Sequence, residues 1–192
     1  MGVGTTMIMG LIGFFVLAII VNYLLSIYNG LIMLKNNTRK NWANIDVLLK
    51  QRTDLIPNLV STVQGYMKHE KEAIQMVSEA REKMIAAGTI NEKTEAHIEL
   101  TMALKTILAL AENYPRLMAN ENFLKLQEQL AGIENEIADR RELYNDSVNI
   151  YNTRIESIPD VIFTRLLGCS KEEYFKATEE EKEEVEVKLG SS

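Results

Sequence analysis

The sequence predicts an all-α protein: one N-terminal transmembrane helix followed by an antiparallel up-and-down four-helix bundle. Three observations carry that prediction. The first 34 residues hold no charged side chain, and 22 of them, Met7 to Tyr28, form an almost unbroken apolar run. Beyond the run, apolar residues recur at steps of 3 and 4, the spacing of a helix face. The chain has only 3 prolines, and no alternating strand pattern is sustained anywhere to frame a hairpin.

As a helix the apolar run is about 33 Å long, at about 1.5 Å per residue, enough to cross a hydrocarbon core of roughly 30 Å. A cleavable leader would show a basic start, a shorter apolar stretch and a small-x-small exit. Here no Lys or Arg precedes the run, and Leu25-Ser26-Ile27-Tyr28-Asn29 offers no such exit. An uncleaved anchor follows. The first charges are Lys35, Arg39 and Lys40, just after the span. The positive-inside rule then places the soluble domain in the cytoplasm of a single-pass cell-membrane protein, with the N-terminus outside. The expected organisation is a short external N-terminus (1–6), the span (7–28), a cytoplasmic helical bundle (29–168) and an acidic C-terminal tail (169–192). Cys169 is the single cysteine, which excludes an internal disulfide and agrees with a reducing compartment.

Asn22, Ser26 and Asn29 fall at i, i+4 and i+7 and so make one polar stripe on the span. Two readings stand: the stripe meets another helix, or it is hydrated among the inner headgroups.

Roughly 158 residues remain for the soluble part, enough for one core. Leu31, Leu34, Trp42, Ile45, Leu48 and Leu49 continue the helical period beyond the span. Leu55, Leu59, Val63, Tyr66 and Met67 open a second helix that runs towards Ala87-Gly88. Asp54 is its expected cap, and Pro57 lies in its first turn, where a missing N–H costs no helix bond. Thr89-x-x-Glu92 reads as a capping box for a third helix, from Asn91 to about Asn113, stopped by Tyr114-Pro115. The fourth carries Phe123, Leu126, Leu130, Ile133, Ile137, Tyr144, Val148, Tyr151, Ile155 and Ile158 on one seam. Asn120 is its N-cap and Pro159 its end. Helices joined by short loops pack antiparallel. From Lys171 the tail holds 8 acidic and 4 basic side chains, so it supplies −4 of the net charge of −6. Tyr174 and Phe175 are placed to dock on the bundle; beyond Ala177 a solvated segment is expected.

Catalytic signatures are lacking. His69-Glu70 is not completed to a zinc-protease helix, and there is no phosphate loop, GxSxG elbow or CxxC pair. Neither His69 nor His97 follows a Glu at the spacing of a di-metal bundle. His97 sits among acidic residues from Glu95 to Glu99, which predicts an exposed side chain. The expectation is no enzyme, no metal or cofactor, and no small-molecule substrate. An acidic chain without a basic stripe excludes nucleic acid as well.

What the seams do hold is polar punctuation. Arg52 and Asp54 adjoin the Leu49 to Ile56 stretch, and Tyr144-Asn145 recurs seven residues later as Tyr151-Asn152. That spacing puts both tyrosines on the core face and both asparagines at its edge. The pair reads either as an interaction groove or as hydrogen bonds that fix helix register.

The same residues carry a family resemblance. Tyr28-Asn29, Trp42-Ala43-Asn44-Ile45-Asp46 and the block from Leu49 through Arg52, Asp54 and Leu55-Ile56-Pro57-Asn58-Leu59-Val60 resemble the LemA family. So do His69-Glu70, Arg81, Glu112-Asn113-Tyr114-Pro115, Glu134, the two Tyr-Asn pairs, Pro159 and Tyr174-Phe175. The likeness runs over about residues 7–176. It implies a four-helix bundle on an N-terminal anchor and supplies no reaction. It also implies a link with membrane quality-control proteases of the HtpX type. The function expected is a membrane scaffold or adaptor, with regulation of such a protease as the alternative. Expected partners are the lipid bilayer, further copies of the chain and a membrane protease.

Overall fold

The structure, a computed structural model, describes residues 2–176; the tail expected to be solvated beyond Ala177 lies outside them. The described residues are all helical or irregular, with no strand among them. The helices are α1 (Val3–Gln64), α2 (Lys71–Ala86), α3 (Ile90–Ala111), α4 (Pro115–Met118), α5 (Glu121–Glu156) and α6 (Asp160–Leu166). Contacts divide them into two compact units. The first takes residues up to 40 together with 146–172, the second 41–145 together with the chain from 173.

In the first unit, α1 is long and apolar enough to cross a membrane, and no protein covers that stretch. Its far end is covered. Ile27 and Leu31 pack with Tyr151 and Ile155 of α5, and Leu34, Phe163 and Cys169 close around them. α6 was not foreseen, because Pro159 reads only as a stop. It is tied back when the Thr164 hydroxyl donates to the Ile155 carbonyl at 2.8 Å and when Arg154 pairs with the buried Asp160. Ile158, expected on the seam, is instead expelled from it and is 87% exposed. The Tyr151 hydroxyl is buried, which raises its pKa above the ordinary value, as do Cys169 and Glu172 beside it.

A hydrophobic core lies within the second unit. Ile56, Leu59 and Val63 of α1 meet Ile74 and Val77 of α2, Leu100, Leu104 and Ile107 of α3, Leu117 of α4, and Phe123 and Leu130 of α5. The predicted caps form. Thr89 and Glu92 complete the capping box of α3, and the Asn120 side chain accepts from the Asn122 and Phe123 amides, both at 3.0 Å.

The expectation about Pro57 fails, and the reason is local. No helix begins at Asp54, which is exposed and caps nothing; α1 runs on through Pro57. Proline cannot donate to the carbonyl four residues back, that of Thr53. Arg81 of α2 donates its Nε–H to that oxygen instead, at 3.3 Å. The break comes later, across residues 65–70. There the Tyr114 hydroxyl donates to Glu70 at 3.0 Å and Asn120 donates to the Tyr66 hydroxyl at 3.1 Å.

Candidate functional site

Behind the face that Trp42 leaves half-buried, the second unit holds a charged cluster inside its core. Arg52 and His97 are 3% and 2% exposed, and Thr101 is buried beside them. Nη1 of Arg52 lies 2.9 Å from the Thr101 hydroxyl, 3.0 Å from His97 Nδ1 and 2.6 Å from Glu134 Oε2. A guanidinium only donates, so His97 Nδ1 accepts and the ring carries its proton on Nε2. That nitrogen faces Glu134 Oε1 at 3.6 Å. Burial pushes the Arg52 pKa down, and the Glu134 carboxylate opposes the shift. A guanidinium stays protonated regardless. The cluster ties α1, α3 and α5 together by charge.

This cluster is not a nucleophile and base. The Thr101 hydroxyl donates to the main-chain carbonyl of His97 at 2.9 Å, and the ring nitrogen it would need is already occupied by Arg52. Among the described residues, no group of His, Cys, Asp and Glu side chains is arranged to hold a metal ion.

Over the cluster lies the start of the tail. Phe175 is fully buried, its ring 5.5 Å from that of His97 and 5.9 Å from that of Trp42, which is itself 5.5 Å from Tyr144. The main chain is gripped too. The Asn145 amide donates to the Phe175 carbonyl and accepts from the Phe175 N–H, each at 2.9 Å. The Tyr144 hydroxyl donates to the Glu173 carbonyl at 2.7 Å. A side-chain amide that pairs both ways with one residue's backbone does what an adjoining β-strand does. Within the first unit Asn152 repeats the chemistry on Glu172, with two bonds of 2.9 Å.

The residues singled out from sequence fare unevenly. Trp42, Arg52, Tyr144 and Asn145 come together in the second unit. Tyr151 and Asn152 belong to the first. Asp54 and Pro57 lie exposed and outside the cluster. Asn22, Ser26 and Asn29 are exposed along α1, and Asn22 donates to the Ala18 carbonyl at 3.2 Å. His97 corrects the expectation of an exposed side chain. The signal was present: Thr94, His97, Thr101 and Leu104 repeat at helical steps, and the acidic neighbours drew attention from that stripe. Phe175 is fully buried, whereas Tyr174 is 43% exposed.

These features define a helical protein whose N-terminal helix fits a membrane location. The chain belongs to the LemA family, whose model matches residues 41–189. It is 23% identical over 201 residues to magnetosome protein MamQ of Magnetospirillum gryphiswaldense, covering 91% of this chain and 74% of that one. It is also 24% identical over 179 residues to magnetosome proteins MamQ 1 and MamQ 2 of Paramagnetospirillum magneticum, a span of 80% of this chain. The match covers 66% of each of those two, just under two thirds of their length. Neither the family's description nor these names is that of an enzyme.

Proposed function

We propose that this LemA-family chain is a non-enzymatic scaffold or adaptor, held to a membrane by α1, whose second unit docks extended peptide segments. One observation carries the reading. Asn145 and Tyr144 hold the main chain of Glu173–Phe175, while the Phe175 ring fills a pocket between His97 and Trp42. Such a socket takes an extended segment bearing one aromatic side chain. Its own tail occupies it here; the same segment of another copy, or of a membrane partner, has the matching chemistry. A regulator of an HtpX-type protease would apply this socket to a segment of the protease. The exposed Asn22, Ser26 and Asn29 stripe is the intramembrane contact proposed beside it.

The reading extends to architecture. We take α2, α3 and the parts of α1 and α5 within the second unit as an up-and-down four-helix bundle. The core cluster to which all four contribute supports this. Lys35, Arg39 and Lys40 support a cytoplasmic location for it.

The test uses the full chain in mild detergent. A labelled peptide spanning Lys171 to Lys176 is titrated onto Phe175→Ala protein, whose pocket is vacated. Saturable binding is expected, and it is expected to vanish when Asn145→Leu is added. No binding to a fully helical Phe175→Ala protein would overturn the reading. Native mass analysis of the unsubstituted chain shows whether copies exchange tails.

A further inference from the structure

We propose that the connection between α5 and α6, with the outer face of α6, is immersed in the bilayer beside the spanning helix. The proposal rests on reading Met7 to Tyr28 as a span and needs no assignment of sidedness. It concerns the first unit alone.

α6 has two apolar faces. Phe163 packs inward onto the Ile27, Leu31, Tyr151 and Ile155 core, flanked by the buried Asp160 and Thr164. On the other side Ile162 and Leu166, one turn apart, are 60% and 81% exposed, and Ile158 in the connection before the helix is 87% exposed. A helix on a water-facing surface is polar on the side away from its core. This one is not.

Depth comes from its neighbours. One cleft is lined by Tyr23 and Leu34 of α1 together with Ile158 and Pro159, which sets the connection beside the end of the apolar run. Tyr23 lies five residues inside the end of the apolar run at Tyr28, about 7.5 Å by helical rise. A connection that flanks α1 between Tyr23 and Leu34 therefore lies at the end of the span, where the headgroups meet the hydrocarbon. The charges agree. The one carboxylate of α6, Asp160, is buried and paired with Arg154. Arg165 remains, a cation whose long stem lets its head reach lipid phosphates from an immersed helix. The occupant is lipid rather than protein because the stripe continues the open apolar surface of α1, where Tyr23 and Tyr28 are exposed as an interfacial pair.

The test uses the full chain in phosphatidylcholine vesicles, in a Cys169→Ser background. Ile158→Cys, Ile162→Cys and Leu166→Cys each carry an environment-sensitive fluorophore. Ile20→Cys serves as the lipid reference, and Gly132→Cys, at an exposed site with open space around it, as the water reference. At the three test positions, quenching by brominated lipid is expected to exceed quenching by aqueous iodide severalfold, as at position 20. Iodide-dominated quenching there, with position 20 still in lipid, overturns the immersed tip and leaves the span intact. Iodide-dominated quenching at position 20 overturns the span itself. Protection from both quenchers at the test positions means a protein neighbour, and that overturns lipid as the occupant.

Discussion

At the scale of single residues, the Arg52 cluster is the feature whose energetics are most exposed to test. Removing one member of a buried ion pair strands the other's charge. Glu134→Ala should therefore destabilise the protein by about 3 kcal/mol, the low end of the usual range because part of the Glu134 side chain meets solvent. Replacing both partners, Arg52→Met with Glu134→Leu, removes the stranded charge and should recover most of that loss. Denaturant titrations of the full chain in detergent, followed by far-UV circular dichroism, read the difference. A double variant as unstable as the single one would mean that the cluster acts by shape and not by charge. Arg52 was legible in the sequence as a polar residue inside an apolar stretch. Glu134 stood out only through the family resemblance; its pairing was not legible, because a glutamate on a long helix rich in charges gives no sign of a partner across the core.

Elements were read best where the signal is local. The Thr89 box and the Asn120 cap depend on side chains within a turn of the amides they satisfy, so spacing alone predicts them. The joint between α1 and α2 was misread because the deciding interaction spans 28 residues. Proline beside a possible cap reads as a helix start unless something supplies the missing donor, and Arg81 supplies it from another helix. A double-mutant cycle checks this. Arg81→Met should cost about 1 kcal/mol, the net worth of one hydrogen bond. In a Pro57→Ala background the cost should shrink, since the residue 57 amide then reaches the Thr53 carbonyl itself. Equal costs in both backgrounds would remove Arg81 from any role at the proline. α6 escaped for a related reason: seven residues with apolar character on two sides carry no single periodic face.

For the whole molecule, composition separates an uncharged N-terminal stretch from a charged remainder, whereas the fold joins them: α1 runs through both, and the first unit takes in residues 146–172 as well. Sidedness is the open consequence. A protease-accessible reporter fused after Ser192 should be protected in sealed, right-side-out vesicles and cut once they are opened. Replacing Lys35, Arg39 and Lys40 together with Gln should weaken that preference, because the positive-inside rule makes such a basic flank the determinant of sidedness. Cleavage of the unmodified protein in sealed vesicles would reverse the orientation. How the tail is held was beyond sequence reading, since Tyr144 and Asn145 bind main-chain atoms nearly thirty residues away. The heptad spacing announced the donors without naming what they hold.

The grip of Asn145 on Phe175 also sets what the tail is free to become. An amide that recognises N–H and C=O recognises something nearly every residue possesses, so the positions just before the aromatic are specified by number rather than by spelling. Glu173 can be exchanged for other non-proline residues while its carbonyl stays where Tyr144 reaches it. Deleting a residue there is a different kind of change. The main chain is held at residues 173 and 175, so the loss of one residue would put the ring out of register with its pocket. Proline in place of Phe175 would erase the N–H that Asn145 accepts. Sequence drift along this strap should therefore run to substitution and stop at insertion or deletion.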